Sequence, residues 1–576
     1  MSETTKPLTR FFRLANLERK EILSIYFFAS ISGVIYLSLP LGIQSIINLL
    51  FGGLVSTSLV VLIFIVVLGV LANGWLQILQ MKINERIQRR IFTRFSMQFA
   101  HKIPKLDLIA VDSYYLPELV NRFFDTASVQ KGISKILLDF PAATVQIVFG
   151  IALLSFYNSS FLFFGIGLIA LVALIIRITY PRGIRTSIEE SNIKYEVGFW
   201  LEEVARTIKT IKFMGMTEYP AKRADKLVST YLDKRAEHFK VLKIQYWAFV
   251  FFKVIITAAL LIIGSLLVIQ QQLNLGQFIA AEIVILTLLN SIEKMIGSLD
   301  VVYDMLTSLE KVSNILDKPI ERQGGISIHE TDVNNGIDIK VENLSYRFEG
   351  NDKYVFKNLN FEIKAGEKVC FFGSQGSGKS TLLKLFTGAY PNFSGNILFN
   401  SYPIGNYDLH LLRNEIGVYL ATADLFSGTL RENLTLGDES ISTQLILRIS
   451  EETGLTHYIQ SLNEGLNTQI DSLGKKLPRN TVNKILLTRA LLTEPKLLLL
   501  EDCWSGLERV EQETMINYLT GSSCKCTMLA VTNDEVFASK CDKILLLNEG
   551  GVSAFGTFEE VRATNEYKRM FKSLSL

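Results

Sequence analysis

The chain has 576 residues, 49% of them hydrophobic, with a mean hydropathy of +0.28 and a formal net charge of +3. That length exceeds one domain and fits two or three. The apolar excess is high for a soluble protein, and the small net charge gives no support to a nucleic-acid partner.

The first 21 residues mix polar and apolar side chains and hold no short apolar core with a cleavage site, so no removable signal peptide is expected. Residues 22–81 contain no charged side chain. One bilayer crossing takes about 20 apolar residues, so this stretch predicts two spans with a break at 51–58. Further uncharged runs at 140–176, broken at 157–160, and at 254–281, broken at 270–276, predict two more pairs. One such run alone reads equally as a buried core helix; three consecutive pairs do not.

Charge sets the expected orientation. The three hairpin breaks lack Lys and Arg, whereas Lys6, Arg10, Arg13, Arg19 and Lys20, then Lys82, Arg86, Arg89 and Arg90, then Arg177, Arg182 and Arg185 flank the other ends. Positive residues stay on the cytoplasmic side, which predicts an inner-membrane, multi-pass protein with both termini cytoplasmic. The inward connections, about 82–135 and 177–243, read as helices continuing past the bilayer. Their tips, expected near residues 109–124 and 206–216, are placed to touch a cytoplasmic domain. Lys253 is expected to snorkel to the interface. Glu282 lies inside the third hairpin, where a carboxylate facing lipid is costly. It reads either as a polar contact in a substrate path or as a structural hydrogen bond or neutral acid between helices.

Composition turns polar and rich in Gly and Asn over 313–336. This divides the chain into a membrane domain (1–325), a linker (326–336) and a second domain (337–576). Strand-like segments at 337–348 and 355–364 precede the sequence KVCFFGSQGSGKSTLLKLF. Residues 373–380 satisfy G-x-x-x-x-G-K-[ST], with an apolar strand before and a helix after. Gly373, Ser374, Gln375, Gly376, Ser377 and Gly378 are expected to wrap a phosphate chain with backbone N–H groups at a helix N-terminus that continues through Thr381. Lys379 would reach the β- and γ-phosphates, and Ser380 would ligate Mg²⁺, so ATP and Mg²⁺ are the expected cofactors. A second apolar strand, 496–502, ends in Glu501 and Asp502. In phosphate-loop enzymes such a strand delivers the metal-binding carboxylate; an ordinary buried strand with a polar end is the plainer reading.

All five cysteines, Cys370, Cys503, Cys524, Cys526 and Cys541, lie in the C-terminal part. Cys524 and Cys526 stand too close for a CxxC site and no His is near, so buried, reduced thiols in a reducing compartment are expected.

Taken together, the paired spans and the phosphate loop resemble type I ABC exporters of the half-transporter kind, and most nearly bacterial exporters of peptides and proteins. The resemblance implies an all-α membrane domain of six helices with long cytoplasmic extensions, followed by an α/β P-loop NTPase domain of ABC type. It also implies a homodimer or a heterodimer in lipid, with two ATP sites sandwiched between domains. Laid on the family's motifs, the adenine-stacking aromatic falls at Phe348 and the phosphate loop is complete. The family's γ-phosphate-sensing Gln falls at Ala421. Its signature Leu-Ser-Gly-Gly-Gln falls at Leu477, Pro478, Arg479, Asn480 and Thr481. Its Asp-Glu pair appears as Glu501-Asp502, the D-loop as residues 505–508, and the switch His as Asn533.

Each departure has a physical consequence. Ala421 has no polar side chain. Pro478 lacks a backbone N–H, and Arg479 and Asn480 carry side chains where glycine permits close approach. Asp502, the remaining candidate for a catalytic base, is a methylene shorter than Glu. Asn533 hydrogen-bonds but carries no charge, and Glu501 remains a candidate metal ligand. Such groups act together, so the expectation is a chain that binds MgATP and hydrolyses it slowly or not at all. Its role is then a transport subunit or, in the alternative, an ATP-responsive regulatory or scaffold subunit of a secretion complex. A membrane-anchored kinase leaves the six spans unexplained.

Overall fold

The computed structural model describes residues 7–51, 57–112, 114–157, 160–215, 217–328, 336–502 and 508–574. The chain divides into two compact units, one of Met1–Lys105 with Tyr114–Lys318 and one of Leu106–Ser113 with Pro319–Leu576.

The first unit is helical. Its elements are α1 (Pro7–Leu17), α2 (Arg19–Tyr36), α3 (Ser38–Phe51) and α4 (Thr57–Lys102). The helix α5 (Leu108–Val111) belongs to the second unit, and the first resumes with α6 (Leu116–Asn121), α7 (Asp125–Tyr157), α8 (Ser160–Arg206), α9 (Ile208–Phe213), α10 (Glu218–Ile269), α11 (Leu275–Gly297) and α12 (Leu299–Leu316). Among the described residues, six stretches are long and apolar enough to cross a membrane: Arg19–Phe51, Thr57–Lys105, Leu116–Tyr157, Gly165–Arg206, Glu218–Ile269 and Leu275–Leu316. They match the three pairs expected from the sequence, and the chain is a multi-pass membrane protein. α4, α8 and α10 run for 46, 47 and 52 residues. At 1.5 Å per residue each is roughly twice as long as one crossing requires.

Apolar side chains serve two environments here. Ile151, Leu154, Phe249, Leu260 and Leu288 pack inside one cluster, and Ile25, Ile91, Phe95, Val129 and Val312 inside another. Phe64 and Leu71 of α4 instead point outward, which suits a helix face solvated by lipid. The break between α10 and α11 is closed by Asn274, whose side chain accepts from the Gln277 N–H at 2.8 Å while Gln277 returns a bond to the Asn274 N–H. Lys253, read as able to snorkel, is paired. Its ammonium lies 2.8 Å from Glu293 Oε2, and Tyr246 donates to Glu293 Oε1 at 2.9 Å. Glu282 sits half-buried in α11, on the face that carries exposed Leu286 and Asn290.

The second unit begins earlier than composition suggested. The reading of 1–325 as membrane domain and 326–336 as linker gives way to a crossing at Lys318 and Pro319. The reason lies in side chains of the polar stretch. Glu321 holds Arg413 through two bonds of 2.6 and 2.8 Å, Arg322 donates to Tyr407 O at 2.7 Å, and Ile326 N–H donates to Asn406 O at 2.9 Å. Residues 329–335 of the expected linker lie outside the described residues. The segment around α5 is likewise built into this unit. Asp107 N–H donates to Pro319 O at 3.1 Å, and Ile109 packs on the unit's own core. This is the first of the two tips expected from the sequence. The second, after α8, is closed by α9 and Gly215, and its residue 216 lies outside the described residues.

The strands of the second unit are β1 (Ile339–Tyr346), β2 (Phe356–Ile363), β3 (Lys368–Gly373), β4 (Phe393–Phe399), β5 (Tyr402–Pro403), β6 (Ile416–Tyr419), β7 (Gly428–Thr429), β8 (Gln469–Ile470), β9 (Leu497–Glu501), β10 (Thr527–Val531), β11 (Lys543–Asn548) and β12 (Gly551–Gly556). An antiparallel sheet runs β2-β1-β4-β5, and the central sheet runs β12-β11-β3-β10-β9-β6, parallel except for β12. Its strands are buried on both faces, which explains their near-continuous apolar runs. Alternation sorts the side chains: Cys370, Phe372, Leu498, Leu500, Met528 and Ala530 enter one core, while Val369, Phe371, Leu497, Leu499, Leu529 and Val531 enter the other. A one-residue slip of any strand would exchange its two faces, so this pattern fixes which strand ends lie side by side.

Candidate nucleotide site

Ligands of open parallel sheets bind beyond the C-terminal strand ends. Register brings four ends together: Phe371 of β3 and Glu501 of β9 both lie opposite Val531 of β10, and Tyr419 of β6 lies opposite Leu500. The phosphate loop leaves from β3 at Gly373 and enters a helix, α13 (Lys379–Phe386), through Gly378.

Glycine is required at both ends of this loop. Gly373 has φ +155°, and a Cβ there would stand 2.2 Å from Leu547 O. Gly378 has φ +95°, and a Cβ would meet Val355 Cγ1 at 2.8 Å. The backbone therefore turns in a space that no side chain shares. The first turn of α13 leaves the N–H groups of Lys379, Ser380 and Thr381 without intrahelical acceptors, facing the direction that suits an anion. Lys379 Nζ donates to the carbonyls of Gly373 and Ser374, each at 2.8 Å. Burial holds its ammonium below the usual lysine range, opposed by the charges of Asp502 and Glu501. The donor set, the absent Cβ atoms and the lysine fit a nucleotide's phosphates, and the Ser380 hydroxyl and Glu501 carboxylate fit Mg²⁺, a hard cation that favours oxygen.

The neighbouring strand ends are tied together by bonds that sequence did not reveal. Glu501 Oε2 accepts from the backbone N–H of Ala421 at 3.0 Å, so β6 and β9 are joined without any side chain at 421. Asn533 Oδ1 faces the Gly373 N–H at 3.4 Å, linking the end of β10 to the loop. Asp502 takes a left-handed backbone, φ +46°, and its N–H donates to Val531 O at 3.0 Å. Although the residue is exposed, partial desolvation and the adjacent Glu501 charge push its carboxyl above the usual range, against the pull of Lys379. Backbone donors leave no trace in residue type, and only Asn at 533 carried a signal of hydrogen bonding.

Two further expected groups follow β1 and open the helix Arg479–Leu492. Phe348 is half-buried beyond β1, edge-on to Tyr346 at 5.2 Å and to Tyr390 at 6.4 Å. It lines a broad cleft with Arg347, Asn351 and Tyr354, a wall that includes none of the phosphate-loop residues. Tyr354, which the sequence reading passed over, is exposed in this cleft with Lys357 Nζ 4.8 Å from its ring centre. Leu477–Thr481 open the helix Arg479–Leu492, with Pro478 at its N-cap and no side-chain cap. Asn480 Oδ1 accepts from Thr481 N–H at 2.8 Å, while Pro478 and Arg479 are exposed. Residues 505–507 of the D-loop lie outside the described residues.

Comparison with known proteins agrees with this construction. The ABC transporter transmembrane region matches residues 22–292, and the ABC transporter family matches residues 356–505. These two models account for most of the chain, which belongs to the ABC transporters, with a membrane domain fused ahead of an ATP-binding domain. Among curated relatives, an uncharacterized ABC transporter ATP-binding protein of Bacillus subtilis, YfiB, is 31% identical over 41% of this chain and 41% of its own. The alpha-hemolysin translocation ATP-binding protein HlyB of Escherichia coli O157:H7 is 26% identical over 63% of this chain and 51% of its own. The chain thus spans about half the length of these two relatives. The putative multidrug export ATP-binding/permease protein YgaD of Bacillus subtilis is 25% identical over 81% of each. A bacterial Atm1-family ABC exporter solved with ATP bound shares the fold, with a TM-score of 0.81, 17% identity and coverage of 97% of this chain and 98% of that one.

Proposed function

We propose that this protein is the ATP-binding half of a dimeric exporter that moves a peptide, protein or lipophilic molecule out of the cytoplasm, and that it binds MgATP while hydrolysing it slowly or not at all. The observation that carries the reading is the contrast at one sheet edge. An intact cradle at Gly373–Ser380 faces Ala421, Asp502 and Asn533, none of which supplies the longer acid, amide or imidazole expected of a hydrolysing site. Polypeptide cargo is supported by relatives whose names describe toxin translocation, such as HlyB.

In this reading ATP supplies the phosphates that Lys379 and the loop N–H groups hold, and Ser380 and Glu501 position its metal. Two nucleotide domains close over the nucleotide, one giving its loop and the other its signature segment. Here that segment offers Arg479, which meets a phosphate by charge and without the close backbone approach of glycine. A partner with intact motifs repairs one site and still meets Pro478–Thr481 at the other. The orientation with both termini cytoplasmic follows from the basic flanks.

The test is ATP binding and turnover by the purified full chain, with and without a co-purified partner. Binding with turnover well below the ~1–10³ s⁻¹ of ordinary enzymes is expected, and Lys379→Ala should abolish binding. Rapid turnover that Lys379→Ala eliminates would sink the proposal. Glu282→Gln separates transport from a scaffold role: reduced export is expected of a path residue, whereas unchanged export with intact assembly favours the scaffold.

A further inference from the structure

The strand that ends in the phosphate loop begins beside a different piece of chemistry. Lys368, the first residue of β3, is only 5% exposed. Its ammonium donates to Cys524 O at 2.6 Å and also to Cys526 O. Among the described residues no carboxylate pairs with it, and a buried ammonium favours a nearby anion. Cys524 and Cys526 supply the candidate. They flank a single residue, both are buried, and their sulfurs stand 3.1 Å apart.

The two thiols are not equivalent. The hydrogen bond from Cys526 and the charge of Lys368 hold the Cys524 thiol below the usual range, against its burial. Cys526 is pushed the other way by that hydrogen bond and by burial. A cavity of about 590 Å³ adjoins the pair, its lining including both cysteines together with Arg448, Lys496 and Lys525. A thiol held low beside a second thiol, at the wall of a cavity, is the arrangement of an attacking and a resolving cysteine. The same strand holds a contrasting thiol: Cys370 is fully buried, and burial pushes its thiol upward.

We propose that Cys524 and Cys526 form a hydroperoxide-reactive dithiol, with Cys524 as the attacking thiolate and Cys526 as the resolving thiol. Cys524 Sγ attacks one oxygen of the hydroperoxide ROOH. The O–O bond breaks, the alkoxide leaves as ROH after taking a proton, and Cys524 becomes a sulfenic acid. Cys526 Sγ then gives up its proton and attacks the Cys524 sulfur. The S–O bond breaks, water leaves, and a disulfide forms. The two thiols together lose two electrons and two protons, and ROOH is reduced to ROH and water. Closing the bond brings the sulfurs from 3.1 Å to about 2.05 Å, a shift of roughly 1 Å. The turn at residues 521–523, ahead of β10, is exposed to solvent on its Ser522 and Ser523 side and leaves room for that movement.

The experiment uses the purified full chain in detergent, freed of reductant, treated with hydrogen peroxide, alkylated and mapped by peptide mass spectrometry. The peptide containing both cysteines is expected to lose two hydrogens at least about tenfold faster than Cys370 is modified, with dithiothreitol reversing the loss. Cys526→Ser should stop the reaction at a dimedone-reactive sulfenic acid on Cys524. Oxidation of Cys524 no faster than Cys370, oxidation slower than in urea-unfolded protein, or a disulfide that joins Cys524 to Cys503 in place of Cys526 would each overturn the proposal.

Discussion

The phosphate loop and the strand ends beside it share one edge of one sheet, yet they keep different things. The loop keeps its chemistry: glycine where a Cβ would strike Leu547 O, a lysine folded onto two carbonyls, and hydroxyls in the first helical turn. The strand ends are joined to each other and to the loop by single hydrogen bonds. Ala421 reaches Glu501 through a backbone N–H, and Asn533 reaches Gly373 through an amide oxygen. Strand register depends on buried apolar runs, so it does not depend on which polar side chains stand at the edge. On the function proposed above, a nucleotide cradle and a hydrolytic apparatus are separable, because one is made of backbone geometry and the other of side chains.

The harshest way to break that comparison is to spoil the geometry. Gly373→Ala places a methyl 2.2 Å from a backbone oxygen of β11, which side-chain rotation cannot relieve. It should destabilise the nucleotide domain by about 2–4 kcal/mol and abolish ATP binding, as read by thermal unfolding with and without MgATP. Unchanged unfolding with normal nucleotide protection would show that the loop tolerates a side chain, and that its glycines do not define the cradle.

A gain of function sharpens the other side. On the proposed function, Ala421→Gln, Asp502→Glu and Asn533→His together would supply the side chains of a hydrolysing site to strand ends already in place. ATP turnover should rise by about tenfold or more for the triple variant and far less for any single change, since such groups act as a unit. A triple variant that binds ATP and gains nothing would locate the limiting loss at Pro478–Thr481 instead. Glu at 502 also carries a cost. The left-handed backbone at this position suits Asp better than a longer side chain, so Asp502→Glu alone should lower stability by about 1 kcal/mol.

Much of this was legible in the sequence, for identifiable reasons. The spans are long apolar runs with basic flanks, and a bilayer enforces both features. The strands at 339–346 and 497–501 show their burial as alternation and as an unbroken apolar run. The phosphate loop is legible because its backbone demands glycine and its chemistry demands lysine. The domain boundary was misplaced because Gly and Asn at 323–336 look like a linker, whereas the clamps of Glu321 on Arg413 and of Arg322 on Tyr407 depend on residues some 85–92 positions away. The partner of Lys253 was not legible for the same reason, Glu293 lying 40 residues on. The bonds made by backbone N–H groups at Ala421 and Gly373 have no sequence signature at all.

The subtlest prediction concerns the charge at the edge. Desolvation and Glu501 raise the Asp502 carboxyl above its ordinary value in the folded protein. The folded state therefore holds this proton more tightly than the unfolded chain does. Its contribution favours folding below the usual carboxylate value, about 3.9, and is lost as pH rises through the raised folded value. At neutral pH, without nucleotide, the ionised carboxylate works against the fold. Asp502→Asn keeps the shape and the left-handed backbone while removing the charge. It should raise the melting temperature slightly at pH 7, and the difference should close as pH falls toward 4. A lower melting temperature at pH 7 would mean that attraction between Asp502 and Lys379 outweighs desolvation, and that the carboxylate is part of what holds the lysine in the cradle.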